Sequence, residues 1–131
     1  MTENIVSSIK IKKIKKNFTV CKVENMEKIN FDDEYIFIGK TDEEISLVCS
    51  TEKAPEKTIE REDNWRGFRI QDILDFSLIG ILSKISTLMA DNEIGIFAIS
   101  TFNTDYILVK EKNFEKSLEI LEENGYQIIW F

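Results

Sequence analysis

The stretch from Leu74 to Lys110 constrains the fold of this chain more than any other part of the sequence. Its apolar residues recur at intervals of three, four and seven, so they fall on one face of a helix. The members of this face are Leu78, Ile81, Leu82, Ile85, Leu88 and Met89. Strands are expected at Ile94–Thr101 and Tyr106–Val109, on either side of the polar turn Phe102–Asp105. The stretch therefore predicts a helix at Leu78–Asp91 followed by a β-hairpin.

Residues that satisfy free backbone groups mark both ends of this helix. Asp75 and Ser77 precede it, and their side chains can accept hydrogen bonds from the first helical amides. Asn92 follows it and tolerates the left-handed conformation that often ends a helix. The first strand of the hairpin is apolar and β-branched, which predicts burial on both of its faces.

A second helix and a final strand complete the C-terminal half. Asn113 is expected to cap the helix FEKSLEILEEN, and Asn124–Gly125 is expected to end it. Tyr126 should then pack back on Leu121, and Gln127–Phe131 should form the last strand. The apolar face of this helix comprises Phe114, Leu118 and Leu121.

The order of these elements predicts the fold class. With a strand at Trp65–Asp72, residues 64–131 read β-α-β-β-α-β. Right-handed crossovers then place both helices on one face of a four-stranded antiparallel sheet. The predicted class is α+β, with a ferredoxin-like C-terminal lobe at residues 64–131 and a mostly β lobe at residues 1–63.

The N-terminal lobe is predicted to contain two hairpins, the first turning at Lys16–Asn17. Their strands are Ile5–Lys13, Phe18–Val23, Tyr35–Gly39 and Ile45–Cys49. The segments IFIGKTDEEISLVC and IFAISTFNTDYILV lie sixty residues apart and share three identities, which indicates an internal repeat whose first helix is short or missing. The polar stretch Ser50–Asn64 separates the lobes and has room for a short helix at Glu56–Glu62.

Composition excludes several classes of function. The net charge of −7 argues against a nucleic-acid partner. The lysines of IKIKKIKK are interpreted as a solvated edge strand, because no aromatic residues are interleaved to stack on bases. The chain has no histidine, no metal-binding cysteine spacing and no glycine-rich phosphate loop. We therefore expect no metal, no cofactor and no enzymatic activity.

Two further features concern the cellular environment. Cys21 and Cys49 lie in apolar segments and are expected to be reduced core residues. No apolar run is long enough to cross a membrane, and the N-terminus does not resemble a secretory signal. A cytoplasmic protein without a membrane partner is expected.

The run LDFSLIGILSKISTLMADNEIGIFAISTFNTDYILVK resembles the ACT domain, the amino-acid-sensing regulatory module of allosteric biosynthetic enzymes. It is most similar to the aspartokinase-like branch, which occurs as small stand-alone proteins with two tandem ACT-like lobes. LDFS, IGIFAIST and NTDYILVK carry the resemblance. It is dense from Trp65 to Gly125 and faint in the N-terminal lobe. It implies an ACT domain at residues 64–131 and a reduced ACT-like lobe at residues 1–63.

The resemblance also implies a ligand site. ACT domains pair side by side, and amino acids bind at the seam. The loop before the first helix meets the ligand, and the start of the second strand, often from the neighbouring domain, completes the pocket. In this sequence the loop positions are Asp75, Phe76, Ser77, Leu78, Ile79 and Gly80. The strand positions are Ile94, Gly95, Ile96 and Phe97.

Physical reasoning is compatible with this site and also with a structural role for the same residues. The first amides of a helix attract an α-carboxylate, and Gly80 permits close approach. Alternatively, Asp75 and Ser77 only cap the helix, and Gly80 only relieves packing between helices. Asp105 is a second candidate ligand contact, with the alternative of a turn aspartate that bonds its own backbone.

Two functions remain open from the sequence. The first is a non-catalytic, allosteric regulatory protein that binds a small amino acid at an ACT–ACT interface. It is expected to be a homodimer through its sheets or helices, with a biosynthetic enzyme as a regulated partner. The alternative is an oligomerisation or protein-docking module without a small ligand. Ile120 and Trp130–Phe131 are candidate interface residues in either case.

Overall fold

The computed structural model describes residues 9–71 and 78–129, which form seven strands and two α-helices. The strands are β1 Lys10–Val23, β2 Ile36–Lys40, β3 Ile45–Ser50, β4 Glu60–Gln71, β5 Phe97–Ser100, β6 Asp105–Lys110 and β7 Gln127–Ile129. The helices are α1 Leu78–Asp91 and α2 Glu111–Glu123. A 3₁₀ turn at Thr51–Lys53 follows β3. Within these ranges no helix is long and apolar enough to span a bilayer.

The chain divides into two compact units that are not consecutive in sequence. The inserted unit is Lys16–Trp65, and the main unit contains the described residues 9–15 and 66–129. This differs from the predicted division into residues 1–63 and 64–131. The first half of β1 belongs to the main unit because Lys10–Lys12 pair in parallel with Gln127–Ile129.

The main unit has the predicted α+β, ferredoxin-like arrangement with one added strand. Its strand order is β7–β1–β4–β6–β5. In the predicted four-stranded sheet β7 would pair with β4, whereas here β1 lies between these two strands. The sheet and both helices contribute to one core, which places the helices on the same face, as predicted. Prominent core residues are Ile11, Phe68, Ile70, Ile81, Ile85, Met89, Ile107, Val109, Phe114 and Leu121.

Helix α1 ends at the predicted residue, Asp91, but its last turn closes differently. The amide of Ile94 donates to the carbonyl of Met89 at 2.9 Å. Glu93 takes the left-handed conformation with φ 58°, and Asn92 instead donates its side-chain amide to the carbonyl of Leu88 at 2.8 Å. This is a Schellman closure with Glu93 at the left-handed position, so the prediction of Asn92 there is wrong.

Helix α2 ends as predicted and begins earlier than predicted. Gly125 has φ 96°, and the amide of Tyr126 donates to the carbonyl of Leu121 at 3.1 Å within the same core. The helix starts at Glu111, directly after β6, so Asn113 lies inside the first turn and does not cap it.

Ile120, a candidate interface residue, is buried inside the main unit. Its side chain is 7% exposed and belongs to the core of the main unit. Because α2 packs against both the sheet and α1, a broad arc of its surface is covered. Trp130–Phe131, the other candidate interface residues, lie outside the described residues.

Strand β1 replaces the predicted N-terminal hairpin. It runs without a turn through Lys16–Asn17. Lys13 and Ile14 are adjacent and both buried, so the alternation of buried and exposed residues shifts by one position here. Because of this shift, the sequence pattern of one long strand resembles that of two shorter strands. The strand has neighbours on both sides, so the interpretation of its lysines as an edge strand is wrong.

The inserted unit consists of strands and turns. Its strand order is β2–β3–β1–β4, and no helix forms at Glu56–Glu62 because β4 already begins at Glu60. Cys21 and Cys49 are free and buried, as predicted. Burial raises the pKa of the Cys21 thiol and raises that of Cys49 to about 12. The core of this unit comprises Cys21, Val23, Ile29, Leu47 and Cys49.

The β2–β3 and β5–β6 hairpins have the same register, offset by sixty residues. Phe37 is opposite Val48 in the first hairpin, and Phe97 is opposite Leu108 in the second. In each turn the amide of a threonine donates to the carbonyl three residues later, at 2.9 Å and 2.8 Å respectively. The two threonines are Thr41 and Thr101. The backbone therefore supports the internal repeat indicated by the sequence.

Candidate functional site

The predicted ligand loop lies mostly outside the described residues. Leu78 and Ile79 contribute the first backbone units of α1, and Gly80 is the first loop position whose surroundings are described. The capping roles of Asp75 and Ser77 stay predictions. The loop positions that lie outside the described residues are Asp75, Phe76 and Ser77.

Gly80 is an exposed residue within α1. A Cβ atom built at this position would meet none of the described atoms within 4 Å. Glycine inside a helix is less stable than alanine by about 0.5–1 kcal/mol. The proposed packing role for Gly80 therefore has no support among the described neighbours.

Gly95 shows the same combination of exposure and empty surroundings. Ile94 before it is 4% exposed and lies in the core, and Ile96 after it packs partly against that core. These two anchors hold Gly95 at the surface just before β5. Neither Gly80 nor Gly95 has a positive φ, so backbone conformation does not require glycine at either position.

Strand β5 is shorter and more exposed than predicted. It covers Phe97–Ser100, and Ala98 and Ser100 are exposed, so the predicted burial on both faces is wrong. Among the described strands it pairs only with β6 and ends the strand order. Hydrogen bonding alternates along an antiparallel pair, and the amide of Thr101 donates towards β6. The N–H and C=O groups of Ala98 therefore point away from β6, towards the open edge.

The two exposed glycines lie towards opposite ends of α1. Gly80 is in its first turn, and Gly95 follows its C-terminal closure. From Gly80 to Asp91 the helix rises by about 16 Å at ~1.5 Å per residue. A single bound amino acid is too small to contact both positions of one chain.

Asp105 is engaged inside the β5–β6 hairpin. Its side chain is 4% exposed and accepts a hydrogen bond from the hydroxyl of Ser100, the residue opposite it. The neighbouring Thr104 hydroxyl donates to the carbonyl of Ile70 at 2.7 Å. The Asp105 carboxylate therefore has a hydrogen-bond partner within the hairpin, and its contact with a ligand stays a prediction. Throughout the described ranges, no group of three or more His, Cys, Asp or Glu residues is placed to hold a metal ion.

The family-model comparison is consistent with this arrangement. Residues 60–123 match the family model of the ACT domain. This segment of the chain is similar to the ACT domain. The match covers β4, α1, the β5–β6 hairpin and α2, which are the elements that place Gly80 and Gly95 at the surface. Against the curated proteins, the sequence finds no match.

Solved structures extend the similarity of the ACT fold to nearly the whole chain. Protein Atu0741 from Agrobacterium tumefaciens superposes with a TM-score of 0.83 at 25% identity, covering 94% of this chain and 93% of that one. Aspartate kinase from Clostridium acetobutylicum gives 0.64 at 17% identity, covering 89% of this chain and 34% of that one. The regulatory subunit of aspartate kinase from Thermus thermophilus gives 0.57 at 9%, covering 83% and 93%. The aspartokinase-like ACT fold predicted from the sequence is confirmed.

Proposed function

We propose that this protein is a non-catalytic regulatory protein that binds a small amino acid where the ACT domains of two copies meet. The observation that carries this proposal is the pair Gly80 and Gly95, two exposed glycines with no described packing partner and no strained backbone. Glycine lowers the stability of a helix, so its presence at Gly80 needs an explanation. Close approach of a ligand or of a second backbone provides one. The aspartate kinase fold and the ACT family support the regulatory role.

The positions of the two glycines support the involvement of a second copy. A homodimer usually has a twofold axis, and two open strand edges pair antiparallel across it. Helix α1 and strand β5 run in opposite directions, because the connection between them is short. Antiparallel pairing of two β5 edges therefore brings the first turn of α1 in one copy towards segment 94–97 of the other. One amino acid can then contact both.

The ligand chemistry follows from the groups at this junction. The first amides of α1, around residues 78–80, attract the α-carboxylate. Backbone carbonyls of segment 94–97 in the second copy accept hydrogen bonds from the α-ammonium group. Asp105 has no role in the proposed site, because its carboxylate already accepts the Ser100 hydroxyl.

A thermal-shift screen of the twenty amino acids tests the proposal. Binding at a hundredfold excess over Kd stabilises the protein by about 2.7 kcal/mol, so one amino acid should raise Tm clearly. Gly95→Trp should abolish this response by filling the site. Gly39→Trp, at an exposed glycine of the inserted unit, is the matched control and should retain it. A flat response of the wild type to all twenty amino acids at millimolar concentration would contradict amino-acid sensing.

An oligomerisation or docking module without a ligand is the second candidate. The observation that favours it is the open edge of β5, with outward-facing backbone groups at Ala98. In this case the glycines serve only the approach of a second backbone. A stable dimer that ignores all amino acids and co-purifies with an enzyme subunit would support this candidate over the first.

A further inference from the structure

The inserted unit contains a pocket of about 310 Å³ between two of its connections. One wall is residues 23–29, after β1, and the other is residues 55–59, before β4. The two units have corresponding strands. In the inserted unit the hairpin β2–β3 follows β1, and β3 lies next to β1; in the main unit the hairpin β5–β6 follows β4, and β6 lies next to β4. The two walls therefore take the sequence positions that α1 and α2 occupy in the main unit. In the inserted unit, neither wall of the pocket forms an α-helix.

Hydrogen bonds fix both walls of the pocket. The amide of Ile59 donates to a carbonyl of β1 at 2.7 Å, and the guanidinium of Arg61 donates to the carbonyl of Pro55 at 3.2 Å. In the other wall the amide of Glu27 donates to the side-chain oxygen of Asn25 at 3.0 Å. These bonds restrain part of each wall without a ligand, which lowers the cost of ordering the pocket on binding.

The lining combines an apolar floor with a charged rim. The floor is buried and comprises Val23, Ile29 and Pro55. The rim is exposed and comprises Glu24, Glu27, Lys28 and Lys57. The charges of the two carboxylates and the two ammonium groups sum to zero, whereas the whole chain has a net charge of −7. A rim of balanced charge in an acidic protein favours a ligand that carries both signs and no net charge.

We propose that the inserted unit holds a second small-molecule site, which binds a zwitterion with an apolar side chain, such as L-leucine. The ammonium group would face the two glutamates, the carboxylate would face the two lysines, and the side chain would cover the apolar floor. The volume is at the lower end of the ~300–1,000 Å³ typical of ligand pockets, which suits a molecule of this size. The inference goes beyond the function proposed above and does not rest on it, because one inserted unit forms this pocket by itself.

Calorimetric titration with L-leucine, L-isoleucine and L-valine tests the proposal. At least one should bind, and isovalerate and isopentylamine, which each retain one of the two charges, should bind at least tenfold more weakly than leucine. Lys57→Glu and Ile59→Glu change exposed positions, so the fold should persist while affinity falls at least tenfold. Lys112→Glu, an equivalent charge reversal on α2, is the control and should leave binding unchanged.

Gly95→Trp separates this site from the one proposed in the ACT domain. Binding that survives Gly95→Trp and is lost in Lys57→Glu supports the second site. Binding that is lost only in Gly95→Trp overturns the second site and leaves the proposed function intact. Failure of all three amino acids to bind the wild type overturns the second site, even when another amino acid raises Tm through Gly95. Equal affinity for leucine and its singly charged analogues overturns the zwitterion assignment.

Discussion

Gly80 is the residue at which stability and function are expected to oppose each other. Its Cβ position is empty of described neighbours and its backbone is helical, so Gly80→Ala should raise the free energy of unfolding of the ligand-free protein by about 0.5–1 kcal/mol. The same change should weaken amino-acid binding. Urea denaturation and the thermal-shift response measure the two effects. Ala90→Gly, at an exposed position of the same helix, should lower stability by a similar amount. A Gly80→Ala protein that is less stable would instead assign the glycine to packing.

Glu93 occupies a left-handed conformation that glycine adopts without steric penalty. Its φ of 58° and the closing bond from Ile94 to Met89 identify it as the left-handed residue after α1. Glu93→Gly should therefore stabilise the protein by about 1 kcal/mol in urea denaturation. Glu119→Gly removes the same side chain from an exposed position inside α2 and should destabilise the protein by about 1 kcal/mol. Equal losses in both variants would contradict the role of the conformation.

Asp33 is a buried carboxylate that sequence reasoning did not single out. It is 8% exposed and accepts hydrogen bonds from the amide and hydroxyl of Ser50, at 2.8 Å and 2.7 Å. Asp33→Ala leaves both donors buried without this acceptor and should cost about 2–3 kcal/mol of unfolding free energy. Its exposed neighbour gives the control, since Asp32→Ala should change stability by less than about 0.5 kcal/mol. Similar melting curves for the two variants would show that the Ser50 bonds contribute little.

Among elements, periodicity predicted the helices well and β1 poorly. A helix repeats one face along its length, so the apolar spacing of Ile81–Met89 was sufficient to identify α1. Strand β1 changes its inward face at Lys13 and Ile14 as it passes from the main unit to the inserted unit. When the alternation of a strand shifts by one residue, its apolar side chains move to the opposite face of the sheet. In the sequence, such a shift resembles a turn between two strands.

The edge of β5, which is unpaired among the described strands, leads to a prediction about the proposed dimer. Ala98 directs its N–H away from β6, so Ala98→Pro removes an outward donor without breaking a bond of the β5–β6 hairpin. The variant should remain folded by circular dichroism and elute as a monomer on size exclusion. Lys40→Pro changes the corresponding kind of position on β2, the edge strand of the inserted unit, and should remain dimeric. A dimer that persists in Ala98→Pro and dissociates in Lys40→Pro would assign the interface to β2.

At the scale of the whole molecule, the sequence revealed the repeat and not the insertion of one unit into the other. Three identities at a spacing of sixty residues were enough to indicate two similar hairpins, because hairpin register is local. The insertion depends on the pairing of Lys10–Lys12 with the end of the chain, and no local pattern reports such a distant contact. The pocket of the inserted unit was missed for a related reason, since its walls replace helices and have no periodicity of their own.

The buried thiols make global stability sensitive to alkaline pH. Burial raises the pKa of Cys49 to about 12 in the folded protein, and an unfolded cysteine titrates near ~8.5. The Cys49 thiol therefore stays protonated to a higher pH in the folded state than in the unfolded state. Stability is unaffected by this group below about pH 8 and falls as pH rises from there towards 12, by at most ~1.4 kcal/mol per pH unit. Urea denaturation at successive pH values should thus show the stability advantage of wild type over Cys49→Ala shrinking above pH 9. An advantage that stays constant up to pH 11 would show that the folded thiol ionises as readily as the unfolded one.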